Sequence, residues 1–253
     1  MNFEALAAEH VLDHPILKLF TIGGTPVMLT EHLLMMWVAG AFLLIAGGLA
    51  GTRTAAGAAA RSWIEPLVLY VRDDMMRPFF GRDTEAYLPY FLTLFFFILV
   101  LNLAGIIPGA VTATGDISVT MALALCTYLL VHWAGVRKQG AGSYLKHIVP
   151  SGLPLALIPF MFVLESVGLV AKSAALCMRL FGNMIAGHLV ALGFLSLIVI
   201  FGAMSHVAGI GVIPVSVGLA VFTYTLEILV AVIQAYIFTI LTAVFVGMAV
   251  HPH

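Results

Sequence analysis

Residues 148–250 read IVPSGLPLALIPFMFVLESVGLVAKSAALCMRLFGNMIAGHLVALGFLSLIVIFGAMSHVAGIGVIPVSVGLAVFTYTLEILVAVIQAYIFTILTAVFVGMAV. The stretch is apolar from end to end, with one obvious break at 205–214 (SHVAGIGVIP). Each arm beside that break, if continuous helix, is ~60–75 Å long at ~1.5 Å per residue, twice the ~30 Å thickness of a bilayer's hydrocarbon core. Either each arm hides a second span, or both arms are long helices lying steeply tilted as a hairpin. Neither arm holds the polar connector that an extra pair of spans requires, so the pattern predicts the tilted hairpin. The fold class is therefore all-α and polytopic, with five membrane helices.

Working outward, three further spans precede the hairpin: Leu33–Ala50, Tyr87–Ile107 and Ile117–Val136. As one membrane domain the chain divides into an N-terminal segment 1–30, a first span 31–50, a charged segment 51–85, second and third spans in 86–136, and the hairpin 148–250. Segment 51–85 alternates charges (Arg53, Arg61, Arg72, Asp73, Asp74, Arg77) with Trp63, Ile64, Leu67 and Val71, the composition of an amphipathic helix lying at the interface. Residues 137–147 read as a polar loop. Of the eleven basic residues, eight lie in 51–85 and 137–147. The positive-inside rule then places both segments in the cytoplasm, the N-terminus outside and the C-terminus inside. No basic n-region precedes an apolar run in 1–30, so no secretory signal is expected.

Composition closes off other classes. Of 253 residues, 62% are hydrophobic and 9% charged, with mean hydropathy +1.11, against about 25% charged in ordinary soluble domains. A water-facing enzyme, a disordered chain and a nucleic-acid binder all need more charge than this. Cys126 and Cys177 form no CxxC and read as buried thiols.

The hairpin holds four formal charges: Glu165, Lys172, Arg179 and Glu227. Each costs ~2.5–3.5 kcal/mol at the bilayer centre and marks a pathway or a partner. Glu165, Lys172 and Arg179 recur every seven residues, on one helical stripe, and Asn183 continues that side one turn on. Glu227 and Gln234 make a second stripe. Folding the arms about residue 207 pairs positions whose numbers add to about 414, which sets His188 against Glu227 and Arg179 level with Gln234. Two structural ion pairs would not require this alignment; an ion route would. His and Glu take up and release protons once burial and mutual charge adjust them. Asn and Gln support water without titrating, and Arg keeps its charge. A proton passes Arg179 only by riding on a moving carboxylate. No acid of this chain is placed to be that carrier, so the pattern implies a partner.

The runs MRLFGNMIAGHLV (178–190) and LEILVAVIQAYIFTILT (226–242) resemble the a subunit of the membrane sector of F-type ATP synthases, as do LNLAGIIPG (101–109), GDISVTMALAL (115–125) and the approach FVLESVGLVAKSAALCMRLFGN (162–183). The resemblance runs from about residue 30 to the end. It implies a stator lying against a rotating ring of c subunits, held with peripheral-stalk b subunits and the other subunits in a bacterial inner membrane. It implies Arg179 as the arginine separating two offset half-channels and Glu165 as an acid of the cytoplasmic one. Asn183, His188, Glu227 and Gln234 would line the outer half-channel, and Asn102 a polar position on the second span, with Lys172 and His206 as possible support. Many bacterial members carry the His188/Glu227 pair exchanged, and many have proline where Ser173 stands. Whether the ion is H⁺ or Na⁺ stays open.

No cofactor or metal is expected. His10 and His14 are four apart on a polar terminus and read as solvated, as do His251 and His253; there is no HExxH. No GxxxxGK[ST] is present, so this chain binds no nucleotide. A self-contained secondary ion exchanger is the alternative, but it needs its own alternating carboxylate and an inverted repeat, and neither is found.

Overall fold

The computed structural model describes residues 15–22, 25–107, 112–147, 154 and 157–250. His10, His14, His251 and His253 lie outside the described residues. So does the side chain of His206, whose backbone opens the last helix.

Two short strands, β1 (Pro15–Ile22) and β2 (Thr25–Thr30), form an antiparallel ribbon. The sequence pattern did not anticipate it. Everything after it is helical or connecting: α1 (Glu31–Gly51), α2 (Ala55–Tyr70), α3 (Arg77–Phe80), α4 (Thr84–Gly105), α5 (Ile117–Gln139), α6 (Ala141–His147), α7 (Ile158–Met204) and α8 (His206–Val250). The described residues contain five helices long and apolar enough to cross a membrane, so the all-α polytopic class holds. Backbone groups in hydrocarbon have no water to bond, and an uninterrupted helix satisfies them within itself.

The charged segment is helical. Thr54 caps α2 by accepting from the Gly57 N–H at 3.2 Å, while Arg61 donates to the Ala50 carbonyl at 2.8 Å and so completes the end of α1. A π-turn at Val71–Met76 widens the helix, and Asp73 lies 3.0 Å from both Arg72 and Arg77 there. Trp63 and Leu67 are exposed, while Val71, Met75 and Met76 are buried.

Two expectations about connections are corrected. Residues 137–147 are not a loop: α5 continues to Gln139, and after Gly140 the chain turns straight into α6. Tyr144 there reaches back to His132 Nδ1 at 2.9 Å; burial, with Tyr128 nearby, pushes its phenol up, so it remains a donor. The break at 205–214 narrows to Ser205, and Pro214 lies inside α8. A proline near a helix start forfeits one bond and its neighbours keep theirs, which is the cheaper outcome where water is absent. Cys126, expected to be buried, is exposed on α5, while Cys177 is buried beside Thr120 at 3.4 Å.

The chain divides into two compact units. One comprises Met1–Phe42, Phe97–Ile117 and Leu180–Gln234. Its core packs Met35, Met36, Phe97 and Val100 around the buried Ala39, Leu101 and Ala113. Within it α7 and α8 run antiparallel, so close at the turn that a Cβ on Gly209 would meet the Gly202 Cα at 2.7 Å; only glycine fits there. The other unit comprises Leu43–Phe96, Ser118–Arg179 and Ala235–His253. It is held by the Phe80–Phe91 ring contact, a Lys138–Asp83 ion pair, and Gln139 donating to the Ala249 carbonyl at 2.6 Å. Lys172 stands over the Phe245 ring at 5.8 Å, so α7 and α8 pair antiparallel here as well. At 47 residues, α7 is about 70 Å long, and only steep tilt or protrusion reconciles that with a bilayer.

Candidate functional site

The site of the first unit is built around His188. The antiparallel pairing inferred from residue numbers is met: His188 Nδ1 lies 2.8 Å from Glu227 Oε1. Glu227 is buried, with a side chain 3% exposed. The two groups stand in close approach without a formed hydrogen bond, since neither Glu227 oxygen gains a hydrogen-bond partner among the described residues. A carboxylate so enclosed needs a neighbouring charge or a proton of its own.

The imidazole is held on every side. Nδ1 also faces the Met184 carbonyl at 3.1 Å, one turn back on α7. Nε2 faces the Gly105 carbonyl at 3.0 Å and the Thr112 hydroxyl at 3.0 Å, and Thr112 reaches the same Gly105 carbonyl at 3.3 Å. A hydroxyl both donates and accepts. When Nε2 carries a proton, the ring donates to Gly105 or Thr112; when it does not, Thr112 turns its O–H toward the ring. The pocket therefore serves either protonation state of Nε2 without moving a heavy atom.

Thr112, Gly105 and Gly187 were not singled out from the sequence. Gly187 carried a signal: it stands at the level of Glu227 in the same register. A Cβ there would meet Glu227 Oε1 at 2.8 Å, so the carboxylate occupies the space a side chain would fill. The Thr112 contact spans 76 residues and no periodicity announces it. Asn102, fully buried, donates from Nδ2 to the Ala231 carbonyl at 3.2 Å, while its Oδ1 is unpartnered among the described residues. This ties α4 to α8 one turn from Glu227. Gln234 is 8% exposed and Asn183 half-buried. Neither amide makes a hydrogen bond among the described residues, and the structure brings neither to His188.

In the other unit, Glu165 and Lys172 lie 3.9 Å apart, both about two-fifths exposed. The seven-residue spacing does place them on one side of α7, at a separation that is worth little in stability. Arg179 is exposed and makes no hydrogen bond or ion pair among the described residues.

The model of the family described as ATP synthase A chain matches residues 33–247. The chain belongs to this family. It is similar to ATP synthase subunit a of Chloroherpeton thalassium, 43% identical over 235 residues that cover 90% of this chain and 68% of the relative. Against ATP synthase subunit a of Myxococcus xanthus it is 43% identical over 239 residues, 91% and 77% of the two chains. Against ATP synthase subunit a 2 of Prosthecochloris aestuarii it is 41% identical over 257 residues, 98% and 75%. Members of the ATP synthase A chain family are Fo-sector subunits of F-type ATP synthases and serve ATP synthesis and proton transport. With five membrane-length helices and bacterial relatives, this member is a multi-pass bacterial membrane protein.

Proposed function

We propose that this chain is the proton-translocating stator of a rotary F-type ATP synthase, providing two offset half-channels that load and unload the carboxylates of a c-ring. The observation that carries it is Arg179, an exposed guanidinium with no partner among the described residues on a helix of membrane length. A permanent cation there attracts an ionised carboxylate from a neighbouring subunit and bars a bare proton. His188 and Glu227, buried together at 2.8 Å, take up the proton from the outer side and neutralise a ring carboxylate. Asn183 and Gln234 support water on that route, and Asn102 braces its wall. After the ring turns, Arg179 forces the carboxylate to ionise and the proton leaves past Glu165, with Lys172 beside it.

The chain catalyses no covalent step; peripheral-stalk b subunits hold it against rotation. It sits in the bacterial inner membrane with the N-terminus outside and the C-terminus and segment 51–85 cytoplasmic. Each charge moved is driven by ~2.3 kcal/mol for every 100 mV crossed. In the assembled complex, Arg179→Ala is expected to abolish ATP-driven proton pumping while passive proton leak persists or grows. Retained pumping refutes the mechanism.

A further inference from the structure

His188 is not the only histidine in its neighbourhood. A cleft beside it holds about 30 Å³ of space for water, room for about two molecules. Its wall includes His188, Thr112, Gly115, Ile185, Leu192 and, from the first turn of α1, His32. His32 is 5% exposed. All of these residues belong to one compact unit. Ile185 and Leu192 make one side of the cleft apolar, while the Thr112 hydroxyl and the His32 imidazole bring polar groups to its wall, and an ordered water is held by such groups. Thr112 joins the cleft to the site already described, since its hydroxyl both lines the water space and bonds His188 Nε2 at 3.0 Å.

We infer that His32 is a proton-relaying residue set by α1 across this water from His188, so that α1 supplies part of the outer route. The inference rests on the stator reading above. One proton arrives on His32 from outside and passes to a cleft water. That water hands a proton to the Thr112 oxygen, which gives its own to Nε2 of His188. The water and the threonine end unchanged, and one proton has moved from His32 to the His188–Glu227 pair.

The test uses the assembled complex in liposomes, reading ATP synthesis under an imposed proton gradient. His32→Ala should slow synthesis by about 10–100-fold, below the ~10²–10⁴-fold that a positioned proton-transfer group can supply, because cleft water carries the remainder. Imidazole added on the outer side should recover much of the rate. His32→Phe should lose as much and recover nothing, because its ring fills the vacated space. Wild-type rates in His32→Ala, or a loss that imidazole does not relieve, overturn the inference. If His32→Ala does not assemble, Leu192→Cys provides a second measurement: Ag⁺ from the outer side should block it, and insensitivity to Ag⁺ overturns the water cleft. Should His32→Ala be silent while Arg179→Ala behaves as expected, this inference alone fails. Should Arg179→Ala still pump, the stator reading fails with it.

Discussion

Gly187→Ala isolates the geometry of the His188–Glu227 pair without removing a titratable group. The added methyl would lie 2.8 Å from Glu227 Oε1 and 3.0 Å from its Cδ. Ordinary contact begins near 3.4 Å, so the carboxylate must withdraw by roughly 0.6 Å, and it stands 2.8 Å from His188 Nδ1. With an effective dielectric of ~20, an ion pair at 2.8 Å is worth ~6 kcal/mol and one at 3.4 Å ~5 kcal/mol. The loss of about 1 kcal/mol corresponds to roughly a fivefold fall in the paired, protonated state. The helix responds with the opposite sign: alanine is favoured over glycine in a helix interior by ~1 kcal/mol, and the clashing atom is the mobile end of a side chain. The substitution should therefore leave thermal stability level or raised while slowing ATP-driven acidification of inverted vesicles about fivefold. Thermal melts of the purified complex and fluorescence-quench pumping assays read the two effects separately. Wild-type pumping in Gly187→Ala refutes the claim that the close approach of Glu227 to His188 matters. A parallel fall in stability and pumping shows that the glycine serves packing alone.

The remaining predictions concern the same cluster. His188→Glu and Glu227→His should each suppress pumping, and the double exchange should regain part of it, because one acid and one imidazole again face each other. Recovery stays partial since the Gly105 and Thr112 contacts to Nε2 are lost, and a double variant no better than the weaker single one argues against the pair. Asn102→Leu should change complex stability by no more than ~1 kcal/mol, since it removes one bond at 3.2 Å and one unpartnered oxygen together. Asn102→Asp places an unpaired charge at a fully buried position, a cost of ~3–5 kcal/mol that should show as poor assembly in a pulldown of the complex.

Much of the site was legible before any coordinates because long helices are one-dimensional objects. Once one turn is located, an antiparallel pair has a single register. The turn at Ser205, against an expected centre near 207, was close enough to pair His188 with Glu227. The misreadings share one cause. Glycine and proline were given the weight they carry in water, so 137–147 read as a loop and 205–214 as a broken turn. At 137–147 the chain leaves the helix at Gly140 alone, with φ +83°, and α8 runs on through Pro214.

By itself the sequence determined the solvent, the number of spans, and the rarity and spacing of the charges. These follow from composition and helical period, which are local properties. The tertiary structure alone decided what surrounds the imidazole. Thr112 and Gly105 approach His188 from more than seventy residues away in the chain, and His32 enters from the first helix. Glu227 lies where a side chain on Gly187 would stand. Such contacts depend on how the helices pack in three dimensions, and no periodicity within a single helix encodes them.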